Sequence, residues 1–257
     1  MRKRGNNKIG WCHETRNPIT GCKNKCDYCY VPGSKARFIK KPDPQNEGAM
    51  HAYRRQIAAI MEPRFHPDRL EKMYRELKNT PPSRVFVGST GDMFGDWIMP
   101  GAAVSPGHVK AVIETCRFLP QHRFLFLTKF PLGYGQYAFP DNCWCGTSIS
   151  GPRDIYRVYE LIQCIDYSRR FISLEPYLDN LIYESHLNII RKETSWLIIG
   201  GRSAVPEKNI PKFEPPEDWI RPFIAAAINY PAFNLYIKKN AGFRGEYKQF
   251  PPELQME

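Results

Sequence analysis

The chain has 257 residues, room for one substantial α/β domain or two small ones with a well-buried core. No run of about 18 apolar residues occurs, which excludes a transmembrane helix. The N-terminal MRKRGNNKIGW lacks the apolar stretch of a secretory signal, so a cytoplasmic protein with no membrane partner is expected. Its 37 lysines and arginines against 26 acids give a net charge of +11, which favours a polyanion such as nucleic acid or a nucleotide. Without a signal, eight cysteines point to metal or redox chemistry rather than to a disulfide framework.

The first strand is expected at Pro18–Thr20, with a start that can lie earlier. It leads into GCKNKCDYCY, where Cys22, Cys26 and Cys29 alternate with the polar loop residues Lys23, Asn24, Lys25 and Asp27. Lys35, Arg37, Lys40 and Lys41 add to the basic rim. Met50, Tyr53, Ile57 and Ile60 keep helical spacing, as do Leu70, Met73, Tyr74 and Leu77. The strand Arg84–Val87 runs into the turn Gly88-Ser89-Thr90-Gly91-Asp92. Ser105-Pro106 reads as a cap and first helical position, with Val109, Val112, Ile113 and Cys116 on one face.

Further strands are expected at Phe124–Thr128, Cys143–Thr147, Arg170–Ser173, Trp196–Ile199 and Asn234–Ile237, with a helix from about Arg153 to Cys164. Lys129, Ser148, Glu175, Gly200-Gly201 and Lys238-Lys239 fall just beyond strand ends. A helix near Glu217–Ile228 must keep Pro222 in its first turn or kink. Two connections read as irregular, Lys129–Asn142 and the return from Leu178 to Ser195. The strands are apolar on successive positions, as strands covered on both faces are. Seven of them alternating with helices imply an α/β fold, a partial or near-complete (β/α) barrel of TIM type. It is read as one domain over residues 1–257, with a basic N-terminal arm and a short C-terminal tail. A doubly wound sheet is the alternative.

Three thiolates on one loop can grip an iron–sulfur cluster and leave one iron without a protein ligand. In a barrel the loop after the first strand lies at the C-terminal mouth, where such folds place their chemistry. Zinc is the competing metal, but it wants a fourth ligand from Cys12, His13, Cys143 or Cys145. Cys143 and Cys145 share one strand face. Together with Cys12 they could hold a second cluster, or they are small core hydrophobes.

The C-x3-C-x2-C spacing, with Tyr28 just before its third cysteine, resembles the radical S-adenosylmethionine (SAM) superfamily. The segments NPITGC, CDYCY, VFVGSTGDMF, FLFLTKFP, WCGTSIS, RFISLEPYL, WLIIGGRS and FNLYIKKNAG follow in order those of a phage-associated radical SAM family of unassigned reaction, from about Lys8 to Gly242. A more distant resemblance is to spore photoproduct lyase. The resemblance implies that Cys22, Cys26 and Cys29 ligate a [4Fe–4S] cluster. It implies that SAM is cleaved reductively with an electron from a flavodoxin- or ferredoxin-like donor, and that hydrogen is then abstracted from substrate. Tyr28 would line the adenine. Ser89, Thr90, Gly91 and Asp92 would hold the methionine ammonium, although they depart from the usual Gly-Gly-Glu-like segment. Lys129 would meet a carboxylate, Ser148 the ribose, and Glu175 a ribose hydroxyl or amine. A zinc-stabilised nucleic-acid-binding protein and a non-catalytic phage accessory protein are the alternative functions.

Overall fold

A computed structural model describes residues 9–36 and 39–256. Seven strands form one parallel sheet in the order β1-β4-β5-β6-β7-β8-β9. They are β1 (Glu14–Arg16), β4 (Arg84–Val87), β5 (Arg123–Thr128), β6 (Cys143–Ile149), β7 (Arg170–Leu174), β8 (Trp196–Ile199) and β9 (Asn234–Ile237). Two short strands, β2 (Ile19–Thr20) and β3 (Arg64–Phe65), pair antiparallel beside it. The helices are α1 (Val31–Ala36), α2 (Glu47–Met61), α3 (Pro67–Leu77), α4 (Pro106–Arg117), α5 (Tyr156–Cys164), α6 (Glu184–Glu193) and α7 (Glu217–Asn229). Strand order follows chain order without reversal, so the doubly wound alternative, which needs a reversal point, is not this topology.

The sheet curls. Flat, β4 and β8 would lie about 19 Å apart, four steps of about 4.8 Å. Yet the Trp11 ring sits 4.7 Å from Phe86 of β4 and 6.1 Å from Trp196 of β8. Side-chain alternation then sorts each strand. Phe86, Leu125, Trp144, Phe171, Trp196, Ile198 and Tyr236 fill the concave interior with Trp11 and Cys12. Val85, Val87, Phe124, Phe126, Cys143 and Cys145 pack with Met73, Leu77, Val109, Val112 and Ile113 of α3 and α4. Leu174, Leu197, Ile199, Leu235 and Ile237 pack with Ile190, Ile220 and Phe223 of α6 and α7.

Several expectations change. The first sheet strand is Glu14–Arg16, earlier than Pro18–Thr20, and Ile19–Thr20 belongs to the side hairpin. Its charges hide it in the sequence, because Arg16 is paired with Glu14 and, at 2.6 Å, with Glu76. The return from Leu178 to Ser195 contains α6. Pro222 is the sixth residue of α7, past its first turn, and exposed. The face Met50, Tyr53, Ile57 and Ile60 forms on α2, but α2 has no buried residue. Cys143 and Cys145 face the helices while Cys12 faces the concave side, so the three cannot share a second cluster. Cys116 and Cys145 are buried, and burial raises both thiols well above their ordinary pKa. Among the described residues, no helix is long and apolar enough to cross a membrane.

Candidate functional site

Extending the interior alternation beyond the strand ends brings Lys129, Ser148, Glu175, Gly200 and Lys238 into one layer above the aromatic floor. They are joined there. Lys129 Nζ donates to Ser148 Oγ at 2.9 Å, and Ser148 Oγ donates to the Glu175 carbonyl at 3.1 Å. Lys238 pairs with the Glu175 carboxylate across β8. That crossing needs a residue without a side chain, since a Cβ on Gly200 would meet Glu175 Cδ at 2.8 Å. The close approach at Gly200 is to Glu175, and at Gly201 to Asn240 and Phe213.

The cysteine loop covers this layer. Gly21, with φ of +86°, forms a parallel bridge to Gly91, which ties the loop's stem to the turn after β4. Cys22 N donates to the Met61 carbonyl at 2.8 Å at the end of α2. Tyr28 lies over the mouth, its hydroxyl 3.0 Å from Ser150 Oγ and its ring 5.4 Å from Lys129 Nζ. Tyr30 donates to the Ser89 carbonyl at 2.7 Å. From the segment after β8, Lys208 Nζ donates to the Asp27 carbonyl at 2.9 Å and the Cys26 carbonyl at 3.3 Å. Sequence reading missed Lys208, because its partners lie 181 and 182 positions away and no local pattern marks it.

All three cysteines are free and partly buried. Asn24 turns toward them, its backbone N 3.4 Å from Cys22 Sγ and its Nδ2 3.1 Å from Cys26 Sγ. Such N–H···S contacts are the kind ligating thiolates accept in iron–sulfur sites. Burial, then the Asp92 charge, pushes the Cys22 thiol up to about 12, and burial raises Cys29 as well. Cationic iron would reverse that balance by displacing the protons. Among the described residues no three His, Cys, Asp or Glu side chains converge on a point for one metal ion. Three thiols on one loop, two of them met by N–H donors, have the donor chemistry that a cluster's thiolate ligands need.

Asp92 has a structural role at this mouth. It is buried, and its carboxylate accepts from Thr128 Oγ1 at 2.7 Å, Phe94 N at 3.1 Å and Lys129 N at 3.0 Å. Desolvation raises its pKa against the pull of these donors. It pins the end of β5, and so Lys129. Ser89 Oγ and Thr90 N both donate to Asn17 Oδ1, at 3.1 and 3.0 Å, which fixes the turn from β1. Lys23 and Lys25 are exposed on the loop, Lys23 lying 3.7 Å from Glu62, and Lys40 and Lys41 are exposed as well. Arg37 and the basic residues 1–8 lie outside the described residues, as does the side chain of Lys35.

The chain belongs to the family described as "Protein of unknown function (DUF5131)", whose model matches residues 6–229. No curated protein matches its sequence. Among solved structures it is similar to spore photoproduct lyase complexed with dinucleoside spore photoproduct, at 12% identity and a TM-score of 0.40. That match covers 83% of this chain, which spans 59% of the lyase. A variant of spore photoproduct lyase with bound AdoMet and dinucleoside spore photoproduct gives 11% identity and a TM-score of 0.40, over 87% of this chain and 75% of that one.

Proposed function

We propose that this family member is a radical SAM enzyme acting on a nucleotide or nucleic acid. The observation that carries the reading is the cysteine loop itself. Three free thiols, two of them met by Asn24 donors, are bound down over a layer of cations and a carboxylate at the mouth of a curled parallel sheet. Cys22, Cys26 and Cys29 would hold the [4Fe–4S] cluster, and the Lys129–Ser148–Glu175–Lys238 layer would receive SAM. When bound, the cluster supplies the electron that cleaves SAM, and so the capacity to abstract hydrogen from substrate.

The chain's own residues position and seal. Lys129 and Lys238 offer cations to a carboxylate, and Glu175 and Ser148 offer acceptors to hydroxyl or amine groups. Tyr28 gives a ring face at the same mouth. The interior floor of Trp11, Trp144, Phe171 and Trp196 keeps water out from below. The exposed lysines favour both a polyanionic substrate and an acidic electron donor. Cytoplasmic reducing conditions suit such a centre.

Anaerobic reconstitution with iron and sulfide, followed by dithionite and SAM, tests the reading. Brown protein that forms 5′-deoxyadenosine and methionine is expected, and Cys26→Ala should lose both colour and cleavage. A colourless protein carrying one zinc, or a brown one that never cleaves SAM, would sink it.

A further inference from the structure

Behind the cysteine loop lies a cleft of about 200 Å³, lined by Thr20, Arg64, His66, Arg69 and Thr90, with Ile60 of α2 as an apolar wall. Thr20 is two residues from Cys22, and Thr90 belongs to the turn after β4 that also faces the mouth. Drug-sized ligands usually occupy about 300–1,000 Å³, so this cleft suits one compact group.

Its lining is cationic on balance, with Arg64 and Arg69 against Glu62. Among the described residues neither Arg64 nor Arg69 is ion-paired, and Arg69 Nη1 reaches only the Asn17 carbonyl at 3.5 Å. Glu62, the carboxylate of the lining, lies 3.7 Å from Lys23 Nζ. Burial, then the Arg69 charge, lowers the His66 pKa; Arg64 adds to this and Asp68 opposes it. His66 Nε2 lies 2.9 Å from Thr20 Oγ1. Thr90 Oγ1 is buried with no hydrogen-bond partner. Two unpaired guanidiniums beside hydroxyls and an imidazole are a donor set for an oxygen-rich anion, which guanidinium forks bind in bidentate fashion.

We infer that this cleft holds a phosphate group of a nucleotide or nucleic-acid strand whose adjoining nucleoside reaches the mouth past the turn after β4. The nucleoside's fate rests on the radical SAM reading; the phosphate contact rests on the cleft alone. Anisotropy of a labelled 5′-phosphorylated single-stranded oligonucleotide tests it on the full chain, with inorganic phosphate and a 5′-mononucleotide as competitors. Both arginines are exposed, so the R64Q/R69Q chain should fold. It should bind about tenfold or more weakly, with the salt slope reduced by about 1 for each guanidinium removed. The K110Q/K192Q control removes the same charge from α4 and α6 and should leave binding nearly intact.

Equal binding by the two double variants overturns the inference. So does wild-type protein that takes inorganic phosphate but neither nucleotide nor oligonucleotide. Repeating the titration on Cys26→Ala separates the two readings. A wild-type chain that fails to cleave SAM sinks the reaction and leaves the cleft standing, whereas loss of the arginine effect sinks the cleft and leaves the reaction.

Discussion

Glu175 and Lys238 show what the mouth demands of single residues. Both side chains are mostly withdrawn from solvent, at 23% and 14% exposure, so each needs the other's charge. Removing one partner of a fully buried pair costs about 3–5 kcal/mol. Here the open mouth screens part of that, and about 1–3 kcal/mol is expected for Lys238→Met. The Glu175→Gln/Lys238→Met chain should regain most of it, because the stranded charge is gone. Urea unfolding of the four chains gives the coupling directly, and strictly additive losses would show that the pair is not a unit. Spacing marks the cysteine triplet in the sequence, and strand-end position marks Lys129, Ser148 and Glu175, which the fold joins in one layer. The use of Asp92 is not marked, since only the fold shows that Thr128, Lys129 and Phe94 all aim donors at it.

At the scale of elements, two glycines decide where the cysteine loop sits. Gly21 holds φ of +86°, and a Cβ there would lie 2.2 Å from the Glu62 carbonyl oxygen; one on Gly91 would lie 2.5 Å from the Gly21 oxygen. Gly21→Ala therefore meets a left-handed penalty of about 1–2 kcal/mol and a backbone clash in addition. A Tm lower by several degrees is expected, at roughly 2–4 °C per kcal/mol, with less iron taken up on reconstitution. Unchanged melting with full iron content would mean that the loop does not depend on this contact. Strands β4, β8 and β9 are legible because burial on both faces writes the apolar runs VFV, WLII and LYI. β1 is not, because its three half-buried residues include a salt-bridged Glu14 and Arg16, and α6 is not, because only Ile190 is fully buried.

The whole molecule is a sheet with two unlike faces, and its cysteines divide between them. Cys143 and Cys145 pack outward, so Cys143→Ala/Cys145→Ala should bind as much iron as wild type while losing some stability to the cavity left behind. Iron loss in that chain would contradict the division. The concave face is closed from below by the C-terminal tail. Gln249 accepts from Trp196 Nε1 at 3.1 Å through its carbonyl, and the Leu254 carbonyl accepts from Arg84 Nη1 at 2.8 Å. Phe250 lies 4.0 Å below the Arg84 guanidinium, and Leu254 is fully buried.

Ending the chain after Gly245 removes all of these contacts at once. The buried Leu254 carries burial worth about 1.5–3 kcal/mol and the partly buried Phe250 less, and buried donors of Arg84 and Trp196 lose these partners at about 1–3 kcal/mol apiece. The total is a large share of the roughly 5–15 kcal/mol that holds a typical native fold. The truncated chain should therefore show red-shifted tryptophan emission and no cooperative melt. Leu254→Ala alone should cost about 2–5 kcal/mol with a native spectrum retained. If the truncated chain instead melts like wild type with unshifted emission, the tail is not the floor of the sheet, and the interior aromatics must be sealed by the strands alone.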